Sequence, residues 1–217
     1  MFSWITDLDI NILYYIQGHF RNELLNSIVK VFTSLGNYGL IWILLTIFLL
    51  VCKKTRKTGI VCAIALIIDL VICNGILKNI FARTRPYDAY KDIRCLIEPQ
   101  PDYSFPSGHT ASSFAAVVPI LADRNARRLG IVALVVAILM ALSRIYVCVH
   151  YPSDVLAGVI VGIFCGVLAC MCYKMKGYSA PKNKPIIHRA SSCIIDLSFF
   201  WLNCYNVKKI RLFFIEK

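Results

Sequence analysis

Tyr38–Cys52 reads YGLIWILLTIFLLVC, a run with no charge that is interrupted only by Gly39 and Thr46. A helix needs about 20 apolar residues to cross the hydrocarbon of a bilayer. This stretch approaches that length if it begins near Gly36, and it decides the class of the protein. Similar runs follow at Thr58–Leu77, Leu129–Tyr146 and Val155–Tyr173. Thr110–Leu121 is shorter and is expected to extend back toward Ser107. Leu24–Leu35 is apolar on one face but holds Asn26, Lys30 and Ser34, and it is read as a sixth span. The expected fold class is therefore all-α: an integral membrane bundle of about six transmembrane helices.

Composition agrees. The chain has 217 residues, of which 58% are hydrophobic, against about 45–50% in soluble domains. It contains no internal repeat and no low-complexity tract. Three regions are expected: an N-terminal amphipathic interfacial segment over 1–21, a transmembrane domain over 22–173, and a basic tail over 174–217. Met1–Phe20 carries Asp7 and Asp9 and lacks the basic start and apolar centre of a cleavable signal peptide. In the tail, Pro181 and Pro185 break structure, and Cys193–Tyr205 is apolar but too short to span, so it reads as a surface-lying helix or a loosely ordered tail.

The formal net charge is +12, from 24 Lys+Arg against 12 Asp+Glu. These cations sit between apolar runs, where they orient membrane helices and meet anionic lipid heads, which argues against a nucleic-acid partner. Lys53, Lys54, Arg56 and Lys57 crowd one connection, Arg124, Arg127 and Arg128 another, and Lys174, Lys176, Lys182, Lys184 and Arg189 follow the last span. All three sets fall on one side by parity, and the positive-inside rule makes that side cytoplasmic. The connections Asn79–Gly108 and Val147–Tyr151 then face the extracytoplasmic side of the cell membrane. The first of these holds Arg83, Arg85, Lys91 and Arg94 against that rule. Either Asp88, Asp92, Glu98 and Asp102 neutralise them, or some of them bind an anionic substrate.

The ten cysteines show no CxxC pair and no zinc spacing. Most lie in apolar runs as small hydrophobes. Cys95 and Cys148 fall in outer segments, where a disulfide between them is conceivable. Asp69 lies mid-span, where a charge is costly and usually paired, and Lys30 is the expected partner. The alternative is a protonated Asp69 bonded to a neighbouring helix.

Three clusters mark the outer ends of the spans. Lys78 and Arg85 are seven residues apart, so they share a face while the helix lasts, and Pro86 marks its exit. Two such cations can grip a phosphate, although the pair alone reads first as snorkelling interfacial residues. Pro106-Ser107-Gly108-His109 precedes an apolar helix. Ser107 can cap it, Gly108 admits a ligand to the backbone, and the helix N-terminus attracts an anion to which His109 can give a proton. The alternative is an ordinary capped helix start. In the third cluster, Ser143 to Asp154, Arg144 adds a cation and Pro152 suits the first turn of the next helix. Asp154, four residues after His150, can fix the imidazole tautomer and free the other nitrogen to attack. A lone His and Asp give too few ligands for a metal.

Together these clusters match the signatures KxxxxxxRP, PSGH and SRxxxxxHxxxD at every defining position. In them the chain resembles the type 2 phosphatidic acid phosphatase superfamily over roughly Asn11 to Tyr173. It is most similar to small bacterial members that include undecaprenyl diphosphate phosphatases, as the stretch Phe32–Trp42 also suggests. The resemblance implies that His150 attacks phosphorus to form a phosphohistidine, Asp154 orients it and His109 protonates the leaving oxygen. It implies that Lys78, Arg85, Ser107, Gly108 and Arg144 hold the phosphate oxygens, with no metal or cofactor. The expected substrate is undecaprenyl diphosphate, with phosphatidylglycerol phosphate, phosphatidic acid and short prenyl diphosphates as alternatives. A small-solute transporter would explain the spans but not three anion-binding clusters on one face.

Overall fold

Backbone in lipid must satisfy its own hydrogen bonds, so apolar runs of this length become helices. The computed structural model describes residues 3–175, and every regular element among them is helical. α1 is Ser3–His19 and α2 is Glu23–Ser34, followed by a 3-10 turn at Asn37–Gly39 and α3 at Leu40–Val51. α4, Arg56–Asp69, continues through a π-helical stretch at Leu70–Leu77 into α5, Lys78–Phe81. The remaining helices are α6 (Pro86–Ala89), α7 (Gly108–Ala122), α8 (Arg127–Tyr146) and α9 (Pro152–Met175). The tail beyond α9, including Cys193–Tyr205, lies outside the described residues.

Local chemistry sets the ends that matter for the site. Ala82, at φ 41°, stops α5 in a left-handed turn. Arg85 is extended and Pro86 opens α6, as a pre-proline position favours. Lys78 and Arg85 therefore do not share a helix face.

The helices pack by the logic of a membrane interior. On α8 the buried residues are small or polar: Gly130, Ala133, Ala137, Ala141, Ser143 and Arg144, with Met140. The large side chains Ile131, Val132, Val135, Ile138, Leu139 and Leu142 point outward. Lipid is as apolar as leucine, so close backbone approach through small residues drives association. α9 does the same against α7. A Cβ on Gly158 would lie 2.7 Å from the Ser107 carbonyl oxygen, and one on Gly162 only 2.3 Å from that of Ala111. On Gly166 it would lie 2.6 Å from Val118 Cβ.

Three stretches, Arg56–Ala89, Arg127–Tyr146 and Pro152–Tyr173, are long and apolar enough to cross a membrane. α2 with the helical stretch to Val51 supplies a fourth if the pair, bent by 47°, is one broken span. α7 is apolar but has only 15 residues. Among the described residues the six crossings expected from sequence are therefore not reached by length and composition. α2 shows why Leu24–Leu35 was ambiguous. Asn26 accepts a hydrogen bond from the Tyr146 hydroxyl at 2.8 Å, and Thr33 accepts one from Arg144 at 2.8 Å. Tyr146 and Arg144 both lie in the last turn of α8, so these contacts tie α2 to the site end of that helix.

The expected Lys30–Asp69 pair is not formed. Lys30 is exposed, Asp69 is buried, no ion pair joins them, and Asp69 Oδ1 has no hydrogen-bond partner. Cys95 and Cys148 are free thiols, the Cys95 Sγ donating to the Ile97 carbonyl at 3.1 Å. α1 leaves Trp4, Leu8 and Tyr15 exposed but buries Ile10 and Leu13 against Ile93, Cys148 and Tyr151. It is docked on the loops at the C-terminal end of α8.

Candidate active site

Lys78 ends the π-helical stretch and is buried, as is Arg85 three residues beyond the left-handed turn. One carboxylate joins them. Asp102 pairs with the Lys78 ammonium, and it accepts from Arg85 Nη2 at 2.5 Å, while its carbonyl accepts from Arg85 Nε at 2.8 Å. Arg85 Nη1 donates to the Val149 carbonyl at 2.8 Å and sits 3.5 Å from His150 Nε2. Burial would raise the Asp102 carboxyl, but Lys78 and Arg85 outweigh it and hold it down at about 2. Asp102 is nonetheless the open member of the trio, its side chain 47% exposed.

His150 is buried on the Val147–Tyr151 connection. Burial, then the cations Arg85, Arg144 and Lys78, hold its imidazole well below the usual histidine range. It is therefore neutral near pH 7 and has a lone pair to offer. Asp154, on the first turn of α9, stands 3.7 Å from His150 Nδ1, too far for the direct hydrogen bond expected from sequence. Ser104 bridges the gap. Its hydroxyl donates to Asp154 Oδ2 at 2.5 Å and lies 3.5 Å from His150 Nδ1. The Tyr151 N–H donates to the same carboxylate oxygen at 3.0 Å. With Nδ1 turned toward Ser104, Nε2 faces Arg85, which is the tautomer a nucleophile needs.

Ser107 occupies the N-cap position of α7 but makes no side-chain capping bond. Its hydroxyl accepts from Thr110 at 3.0 Å, and its N–H donates to the Asp154 carbonyl at 3.1 Å, tying α7 to α9. A Cβ on Gly108 would lie 2.9 Å from Asn74 Oδ1 and in ordinary contact, 3.6 Å, with Lys78 Nζ, so a side chain there would press on Asn74. His109 Nε2 is 3.2 Å from Asn37 Oδ1, in the turn before α3.

Arg144 is 1% exposed and donates from Nη1 to Thr33 at 2.8 Å, while its Nε has no partner. Among the described ion pairs none involves it. A buried guanidinium without a counter-ion is costly, and an anion reaching it would offset that cost.

The structure thus gathers Lys78, Arg85, Ser107, Gly108, His109, Arg144, His150 and Asp154 at one end of the bundle. Sequence reasoning did not single out Ser104, Thr33, Asn37 or the bridging role of Asp102. Ser104 and Asp102 flank the PSGH cluster, whereas Thr33 and Asn37 arrive from a distant segment. Among the described residues no group of three His, Cys, Asp or Glu side chains is gathered to hold a metal. The Arg83 guanidinium, on the other side of Asp154, donates to Asp154 Oδ1 at 2.5 Å and to Asp9 at 2.9 Å.

The chain is similar to known proteins. The undecaprenyl-diphosphatase of Sulfolobus acidocaldarius is 36% identical over 142 residues, covering 65% of this chain and 68% of that protein. Undecaprenyl-diphosphatase BcrC of Bacillus subtilis is 35% identical over 148 residues, covering 68% and 75%. The crystal structure of Aquifex aeolicus LpxE superposes with a TM-score of 0.66 at 29% identity, covering 76% of this chain and 95% of that one. Residues 56–178, which carry all three clusters, match the PAP2 superfamily. With that match, and helices apolar enough to cross a bilayer, this integral membrane protein belongs to the PAP2 superfamily.

Proposed function

We propose that the protein hydrolyses a lipid-linked diphosphate, undecaprenyl diphosphate to undecaprenyl phosphate, through a phosphohistidine on His150. One observation carries this reading. A carboxylate already bridges Lys78 and Arg85 beside the free nitrogen of a neutral buried imidazole. A terminal phosphoryl group placed where Asp102 sits would meet the same two cations and would bring its remaining oxygens to Arg144.

His150 Nε2 attacks the terminal phosphorus and the bond to the bridging oxygen breaks. Burial and the neighbouring cations hold His109 neutral before substrate binds. The charge of the bound phosphoryl groups offsets those cations and lets it take up a proton, and as an imidazolium it gives that proton to the bridging oxygen as undecaprenyl phosphate leaves. Water then attacks the phosphohistidine, His109 takes its proton, and inorganic phosphate is released. Asp154, acting through Ser104, holds Nδ1–H and balances the positive charge that develops on the ring. Lys78, Arg85 and Arg144 neutralise the phosphoryl oxygens, while Ser107 and the Gly108 backbone line the same site. His109 is steered by Asn37.

The two relatives named for undecaprenyl diphosphate support the substrate. The basic connections lie away from the site, which supports an active site on the extracytoplasmic side of the cell membrane. There a polyprenyl carrier presents its head group at the interface. The three-region division of the chain is proposed with it, except that α1 serves the site as well as the surface.

The test is phosphate release in detergent with chelator present, from undecaprenyl diphosphate, phosphatidylglycerol phosphate and phosphatidic acid. The first should turn over fastest. His150→Ala should accumulate no labelled phosphoenzyme and release no phosphate. Turnover by that variant would remove His150 as the nucleophile, and preference for a phosphatidyl substrate would change the substrate while keeping the chemistry.

A further inference from the structure

Behind Asp154 lies a second buried charge system that the steps above do not use. Arg83 donates from Nη1 to Asp154 Oδ1 at 2.5 Å and to Ser153 Oγ at 2.7 Å, and from Nη2 to Asp9 Oδ2 at 2.9 Å. Its guanidinium stacks 3.7 Å from the Tyr151 ring centroid. Asp9 comes from α1 and is 3% exposed. Its Oδ1 accepts the Ser153 N–H at 2.9 Å, and its Oδ2 accepts the Ser153 hydroxyl. A side chain from the first helix thus caps the first turn of α9, which carries Asp154, and grips the cation that grips Asp154.

The charge count gives this a consequence. Arg83 alone beside Asp154 would make a neutral pair, and His150 would then face Arg85, Arg144 and Lys78 without a net negative charge behind it. Asp9 leaves the Asp9–Arg83–Asp154 group at net −1. That charge lies on the side of His150 where a positive phosphohistidine ring needs it, in surroundings too buried for water to screen it well.

We propose that Asp9 is a positioning residue for the His150–Asp154 pair, and that α1 docks on the loops to place this carboxylate. The inference rests on the phosphohistidine reading above. It makes the N-terminal helix part of the catalytic machinery and not solely an interfacial anchor.

The experiment compares Asp9→Asn, Asp9→Glu and Gln17→Ala in full-length protein in detergent, with His150→Ala alongside. Asp9→Asn keeps the size, removes the charge and turns one accepting oxygen into a donating NH2. It should lower kcat about tenfold, the effect of one pKa unit at the imidazole, with KM within about twofold, because no substrate oxygen touches Asp9. Asp9→Glu should recover part of the loss. Gln17 holds the far end of α1 through the Asp92 carbonyl and the Arg94 N–H. Gln17→Ala loosens docking without touching the charge chain and should leave kcat within about twofold. Wild-type kcat in Asp9→Asn, with His150→Ala inactive, overturns this inference alone. An equal loss in Gln17→Ala also overturns it, because docking by itself would then be responsible. Turnover by His150→Ala overturns the reading beneath it.

Discussion

Asp102 offers a perturbation whose sign separates two roles. If it only braces Lys78 and Arg85, its loss should weaken phosphate binding. If it occupies the position of the substrate's phosphoryl group, its loss should strengthen binding. The geometry favours the second. Asp102 uses both cations at once, and substrate oxygens cannot reach them until it moves. Its side chain is 47% exposed, whereas those of Lys78 and Arg85 are 7% and 3% exposed, so it is the partner that solvent can release. Each half-exposed pair is worth about 0.5–1 kcal/mol after allowing for solvent screening. Two pairs make about 1–2 kcal/mol, or roughly 5- to 30-fold in affinity. Asp102→Asn should therefore tighten inhibition by inorganic phosphate and by vanadate by that factor, measured as Ki in detergent. An unchanged or weakened Ki would refute displacement. The pH dependence has a defined sign. The Asp102 carboxyl is held down at about 2, below an ordinary value near 3.8, so the stability from its ion pairs is present above about pH 4 and is lost as pH falls toward 2. Between pH 5 and pH 9 its charge is constant, and the ratio of wild-type to variant Ki should be flat there.

Arg144→Ala should cut kcat/KM by about 10²–10³-fold, and Arg144→Lys should recover little, because a point charge does not replace a planar fork seated on Thr33; steady-state kinetics on undecaprenyl diphosphate would measure both. Ser104→Ala removes the hydroxyl between Asp154 and His150 and should lower kcat about tenfold with little change in KM, which a burst measurement of phosphoenzyme formation would assign to the first step. Gly162→Val forces a side chain onto the Ala111 carbonyl, already 2.3 Å from a bare Cβ, and should destabilise the fold by about 1–3 kcal/mol, read as a lower thermal midpoint in detergent.

The helices and the three clusters were legible because both are local patterns. A run such as Tyr38–Cys52 needs only hydropathy, and the spacing from His150 to Asp154 fits one turn of chain. What stayed hidden depends on distant segments meeting. Thr33 reaches Arg144, Asn37 reaches His109 and Asp9 reaches Ser153 across more than a hundred, seventy-two and 144 positions respectively. Nothing in the spacing of those residues announces the contacts. α2 stays a tie in the structure: a 12-residue helix, apolar on one face, it suits either half of a broken span with α3 or a short helix tied to the end of α8. Its polar contacts to α8 are invisible in sequence, and so is the exposure of Lys30, which leaves Asp69 without that partner. The glycines at 158, 162 and 166 recur every four residues and could have been read as a packing stripe.

The site resolves a physical conflict that its sequence only hints at. Lys78, Arg83, Arg85 and Arg144 are all buried or nearly so, against the carboxylates Asp9, Asp102 and Asp154. Four cations and three anions leave one positive charge in excess while His150 is neutral, which would be costly if the arrangement were closed. The anions are not equivalent. The Asp9 and Asp154 side chains, 4% and 0% exposed, are committed to Arg83 and cannot move without unmaking α1 or α9. Asp102 faces solvent on a loop. In the proposed mechanism an incoming phosphoryl dianion would therefore displace only Asp102, and in doing so it would take up Lys78, Arg85 and the unpaired Arg144 together. Burial thus ranks the carboxylates: in the proposed mechanism Asp9 would hold Asp154 in place behind His150, and Asp102 would neutralise the cations until the substrate's head group arrives.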